Sequence, residues 1–135
     1  MGPYDTAVTD NVLSGITSVL LVDDNQDALR VMGTLLHAMG IKHVRQTNSA
    51  EKALDILKEE RFSMIVSDYM MEGMDGVAFC EKLRSRGDQT PLVLLSGAPD
   101  KAGVLKAIQF PKVDFFGKPF TISELTCAME RLMAA

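Results

Sequence analysis

The sequence has no tryptophan and only two cysteines, Cys80 and Cys127, which lie far apart and form neither a CxxC pair nor the His spacing of a zinc site. A disulfide framework and a structural zinc centre are therefore excluded, and both thiols are expected to be buried or inert. Positive charge is not in excess: 14 Lys and Arg stand against 18 Asp and Glu, a net charge of -4. This balance argues against non-specific nucleic-acid binding and against an anionic membrane surface, so any nucleic-acid role would be indirect. No apolar run approaches the ~20 residues of a membrane helix. No basic region followed by an apolar stretch opens the chain, so no secretory signal is expected, and the expected location is cytoplasmic.

What is present is an ordinary globular composition in 135 residues, enough for one domain with a real core. Residues 1–16 lack periodicity and read as a mobile tail, which leaves 17–135 as the folded domain. From Thr17 onward, short apolar runs alternate with amphipathic stretches of helical length, five times over. Val19 to Val22 reads as a strand buried on both faces. Ala28 to Met39 puts Leu29, Met32, Leu35, Leu36 and Met39 on one helical stripe, closed by Gly40.

Lys42 to Thr47 is a weaker strand, and a helix over Ala50 to Glu59 follows, capped by Asn48 or Ser49. Met64 to Val66 leads to Asp68, and a loop with Gly73 and Gly76 precedes a helix over Val77 to Arg84. Leu92 to Leu95 leads to Ser96, then a helix over Lys101 to Ile108; Val113 to Phe116 leads to Lys118. Thr121-x-x-Glu124 is a capping box for the last helix, to Met133. Strict alternation of nearly all-apolar strands with helices indicates an α/β fold with a parallel sheet covered on both faces.

Right-handed crossovers bring all strand C-termini to one edge, where ligands of open α/β sheets bind. The polar residues at those ends are Asp23 and Asp24, Asp68, Ser96 and Lys118. Taken singly, each has an ordinary explanation: a helix cap for Asp24 or Asp68, a turn for Ser96, a surface position for Lys118. Taken together, three carboxylates and one lysine form a net anionic cluster that a hard divalent cation, Mg²⁺, would neutralise through oxygen ligands.

The acidic pair in LLVDDN, SDYMMEGMDG around Asp68, LLSGA with Ser96 and DFFGKPF with Lys118 together resemble the receiver domain of two-component response regulators, over about Thr17 to Met133. The resemblance implies a flavodoxin-like (βα)5 doubly wound parallel sheet in strand order 2-1-3-4-5, with two helices on one face and three on the other. It implies that Asp68 accepts a phosphoryl group from a phosphohistidine on a sensor histidine kinase or a histidine phosphotransfer protein. Mg²⁺ would be held by Asp24, Asp68 and the backbone carbonyl of Met70, with Asp23 acting mainly through water. Lys118 and Ser96 would contact phosphoryl oxygens, with backbone N–H groups after Asp68 and Ser96. Phe115 would be the switch aromatic, altering the surface of the fourth helix, fifth strand and fifth helix for a downstream protein target.

The chain departs from the family pattern in three places. Glu72 stands where Pro is frequent, implying a looser and more acidic loop. Pro111-Lys112 replaces a usual Gly-Ala, which should end the fourth helix early. Gly117 replaces a larger apolar residue. Met70 and Ala98 flank the approach of water to the phosphoryl group, and neither side chain can orient a water molecule.

Among rivals, a flavodoxin would need a Ser/Thr/Gly-rich phosphate loop where DDNQD stands, and a haloacid-dehalogenase-like phosphatase would need an Asp where Met70 stands. A degenerate receiver acting only as a binding module, and a receiver belonging to a longer regulator, are the remaining alternatives to a stand-alone regulator or relay intermediate. The receiver reading is that of a signalling domain with self-catalysed phosphorylation and dephosphorylation, not an enzyme with a separate substrate.

Overall fold

A computed structural model describes residues 15–98 and 100–134. The elements are β1 (Ser18–Val22), α1 (Gln26–Ala38), β2 (His43–Thr47), α2 (Ala50–Glu59), β3 (Met64–Asp68), α3 (Gly76–Ser85), β4 (Leu92–Ser96), α4 (Lys101–Ala107), β5 (Val113–Gly117) and α5 (Ile122–Ala134). All strand pairs are parallel and the sheet order is β2-β1-β3-β4-β5. The fold expected from the sequence is the fold observed. Most of the tail expected over residues 1–16 lies outside the described residues, though Ile16 is buried in the core.

Side chains alternate across a strand, so each central strand feeds two cores at once. Val19 and Leu21 of β1, Met64 and Val66 of β3, and Val93 and Leu95 of β4 pack with Leu29, Met32 and Leu36 of α1 and Leu125, Met129 and Leu132 of α5. Leu20, Ile65, Leu92 and Leu94 pack on the other face with α2, α3 and α4, through Ala53, Phe79, Leu83 and Ala107. That two-sided demand is why the three central strands are continuous apolar runs, whereas β2, an edge strand, is mostly exposed.

Helix ends follow local chemistry. Asn25 Oδ1 accepts the Ala28 N–H at 2.9 Å, so α1 begins ahead of the apolar stripe that marks it in the sequence. At its other end the Gly40 N–H reaches the His37 carbonyl at 3.0 Å and the Ile41 N–H reaches Leu36 at 3.1 Å, a Schellman closure. Ser49 rather than Asn48 caps α2. The capping box of α5 is reciprocal: the Thr121 N–H donates to Glu124 Oε1 at 2.8 Å and the Glu124 N–H to Thr121 Oγ1 at 3.1 Å. Cys80 is buried, which pushes its thiol up to about 12, while Cys127 is exposed on α5.

The short α4 ends at Ala107, and the lead-in to β5 is held by Arg84 of α3. Its guanidinium donates to the carbonyls of Asp88 (2.8 Å), Thr90 (2.9 Å), Pro111 (3.0 Å) and Lys112 (3.3 Å). Lys112 itself has φ +56°, a left-handed conformation that costs a side chain carrying Cβ about 1 kcal/mol. Its carbonyl is used by the Leu92 N–H at 2.9 Å, so the conformation is fixed by sheet pairing rather than local preference. Lys112→Gly is therefore expected to stabilise the protein by roughly 0.5–1 kcal/mol, read as a higher urea midpoint at unchanged slope.

Candidate functional site

Sheet register brings the chemistry together. Asp68, the last residue of β3, is level with Leu95, one before Ser96; Ser96 is level with Gly117, one before Lys118. Asp23 and Asp24 follow β1 directly. One carboxylate oxygen from each of Asp23, Asp24 and Asp68 lies within 4.8 Å of the others. Lys118 Nζ is 3.3 Å from Asp68 Oδ1. Among the described residues neither Asp23 nor Asp24 has an ion-pair partner. One cation thus serves three carboxylates.

Asp23 is the most enclosed of the three, only 6 % exposed. Burial pushes its carboxyl above the ordinary value, with repulsion from Asp68 and Asp24 in the same direction; the Asn25 N–H, donated to Asp23 Oδ1 at 2.9 Å, and the Lys118 charge oppose the rise. Three close oxygen donors with too little positive charge are the donor set of a hard cation such as Mg²⁺, and they suit no soft metal.

The loop after Asp68 is tied down at several points. The Tyr69 N–H donates to the Leu95 carbonyl at 2.8 Å and the Gly76 N–H to the Tyr69 carbonyl at 2.8 Å. The Met74 N–H meets Glu51 Oε2 at 3.3 Å. The Glu72 N–H donates to Asp24 Oδ2 at 2.9 Å. A proline at position 72 could not make that bond, so the residue that implied a looser loop instead tethers the loop to the acidic pair. Gly76 lies against the chain itself: an added Cβ would fall 3.0 Å from Tyr69 Cα and 2.7 Å from Leu94 Cδ2. At β4, Ser96 Oγ accepts the Ala98 N–H at 3.1 Å, leaving its own proton to donate, and the Lys118 N–H donates to the Ser96 carbonyl at 2.7 Å. The Lys118–Pro119 peptide is cis.

Residues 19–130 match the family described as the response regulator receiver domain. The chain belongs to that family. This receiver domain is 38 % identical over 109 residues to the two-component response regulator ARR10 of Arabidopsis thaliana, covering 79 % of this chain and 19 % of that protein. It is 28 % identical over 119 residues to a probable chemotaxis protein CheY of Rhizobium etli, covering 87 % of this chain and 92 % of that one. The receiver domain of the Francisella response regulator 1452 superposes with a TM-score of 0.77 at 25 % identity, covering 87 % and 97 % of the two chains. The chain thus spans about a fifth of the plant relative and most of the chemotaxis relative.

The receiver fold gathers Asp23, Asp24, Asp68 and Lys118 as the sequence leads one to expect, with buried Ser96 ending the next strand. Met70 follows on the same loop with its side chain 63 % exposed, and Ala98 is exposed too. Phe115 faces the α2–α4 side and is partly buried. Sequence reasoning passed over Tyr69, whose ring sits 5.2 Å from that of Phe115. The only signal was an aromatic directly after Asp68. Among the described residues, no helix is long and apolar enough to cross a membrane.

Asp23→Asn keeps an acceptor for the Asn25 N–H and removes a charge that burial disfavours. In metal-free buffer at neutral pH it is expected to raise unfolding stability, read as a higher urea midpoint than the wild type. Because the folded carboxyl of Asp23 sits above its ordinary 3.8, the wild type recovers this stability on protonation. Urea midpoints of variant and wild type should therefore converge as pH falls through the folded value and separate above it.

Proposed function

We propose that this receiver domain is a Mg²⁺-dependent phosphorylation switch in which Asp68 accepts a phosphoryl group from a phosphohistidine on a histidine kinase or phosphotransfer protein. The observation that carries the reading is the pairing of Asp68 with Lys118 at 3.3 Å inside a cluster of three carboxylates that, among the described residues, pairs with no other cation. An Asp68 oxygen attacks phosphorus, the P–N bond to the donor imidazole breaks, and the ring nitrogen leaves with that electron pair. A carboxylate is a weak nucleophile, so positioning and charge neutralisation supply most of the acceleration.

Lys118 shifts from the carboxylate to a phosphoryl oxygen, and the Ser96 hydroxyl donates to another. The Tyr69 N–H is committed to Leu95, so donation from the Asp68 loop falls to N–H groups beyond it. The oxygens of Asp24 and Asp68 and the Met70 carbonyl would hold Mg²⁺, with Asp23 acting through water, and the bound ion would supply neutralisation of phosphoryl charge. Hydrolysis of the acyl phosphate returns Asp68 and inorganic phosphate.

Output runs through α4, β5 and α5, biased by the new dianion at Asp68. Support for this surface comes from Leu105 and Ile108 at α4 and Ile122 of α5, apolar side chains all about half exposed, and from the Asp114–Arg131 pair at 2.6 Å that joins β5 to α5. The downstream protein target docks there, and the domain itself contacts neither nucleic acid nor membrane. The site opens at the edge of the sheet and is read by a partner protein, which fits a cytoplasmic signalling role.

Exposure to a small-molecule phosphodonor with and without Mg²⁺, followed by intact mass, tests the reading. One added phosphoryl that requires metal and is absent in Asp68→Asn is the expected result; no gain in the wild type would leave a phosphorylation-independent binding module. Met70→Asn places an amide beside the path of attacking water, and loss of the phosphoryl mass is expected to quicken several-fold, about 3-fold or more. Unchanged decay would show that residue 70 does not govern lifetime.

A further inference from the structure

Tyr69 follows Asp68 directly, yet its side chain enters the cleft between α3 and α4. Three contacts define its place there. The hydroxyl donates to Asp100 Oδ2 at 3.4 Å, and Asp100 Oδ1 accepts the Gly103 N–H at 2.6 Å as the cap of α4. The ring meets Phe115 edge-on, centroids 5.2 Å apart at 61°. Gly103 lies under the phenol: a Cβ there would fall 2.5 Å from the hydroxyl oxygen and 2.9 Å from Cζ, so the first turn of α4 approaches as closely as a glycine permits.

We infer that Tyr69 is a positioning residue that carries the state of Asp68 to the start of α4 through its hydroxyl and to Phe115 through its ring, in parallel with the route through Ser96. The inference rests on Asp68 being the phosphoacceptor. Its backbone is pinned to Leu95 and Gly76, one residue from the reacting carboxylate. A shift of Asp68 on gaining a phosphoryl group therefore tilts the ring. The ring is only partly buried and free to tilt on its cleft side, but with no slack against Gly103 a tilt toward α4 displaces the Asp100 cap or breaks the bond to it. The edge-to-face contact transmits the same tilt to Phe115.

The test uses the full chain labelled with ¹⁵N, with Mg²⁺ and beryllofluoride as the phosphoryl mimic. In the wild type, amide resonances of Asp100 to Gly103 and of Phe115 shift on saturation. In Tyr69→Phe, which keeps the ring and loses the hydroxyl, the α4 shifts fall below about half while the Phe115 shift persists; in Tyr69→Leu both fall. A merely structural role would not separate the two responses.

Tyr4 is the only other tyrosine and tryptophan is absent, so Tyr69 emission in a Tyr4→Phe background gives a second readout that needs no substitution at position 69. It should change on adding beryllofluoride with Mg²⁺. Wild-type-sized shifts in both variants, or constant emission, would overturn the inference. A wild type whose Asp68 resonances ignore the mimic would overturn the phosphoacceptor reading and this inference with it, whereas failure confined to the variants or to Tyr69 emission leaves that reading standing.

Discussion

Repulsion among Asp23, Asp24 and Asp68 is the constraint around which the functional edge is organised. Three carboxylates share a space less than 5 Å across with one lysine, and Asp23 is nearly closed off from water. Apolar burial on both faces of the sheet supplies the stability that tolerates this strain, since Val19 to Val22 and Met64 to Val66 are buried almost without remainder. A cluster held ready in this way is more useful than a relaxed one. On the function proposed above, charge left uncompensated in the resting fold is what a cation and a phosphoryl group would reorganise.

The tethers of the Asp68 loop belong to the same arrangement. Carboxylates that repel each other need fixed donors, and backbone N–H groups supply them: Asn25, in the turn after β1, to Asp23, and Glu72, in the Asp68 loop, to Asp24. Glu51 plays a similar part from α2, accepting the Met74 N–H. The loop therefore links β1, α2, β3 and β4 around the site. Asp68 is thus one short loop away from several elements, and Tyr69 lies where that loop meets α4 and Phe115.

Much of this was legible in the residues. All ten elements stand where apolar runs and helical stripes indicate, within two residues at each end, because strands buried on both faces and amphipathic helices leave strong periodic signals. The capping box at Thr121 and Glu124 and the Schellman closure at Gly40 were readable too, as both depend on near neighbours. The gathering of Asp23, Asp24, Asp68 and Lys118 followed from crossover handedness alone. Less was visible at Glu72. Its backbone N–H, which the side-chain identity does not advertise, is what bonds to Asp24 across the site.

The amino-acid sequence by itself determined the alternation of strands and helices, the sheet order through family resemblance, and the chemistry delivered to one edge, since each follows from local pattern plus the fixed hand of chain connections. Only the tertiary structure decided that Tyr69 turns toward Asp100, Gly103 and Phe115, that Lys112 is held left-handed beneath Arg84, and that Asp23 rather than Asp24 or Asp68 is the most buried acid. These depend on contacts between residues tens of positions apart. Their energies come from close approach in three dimensions, which no local periodicity encodes.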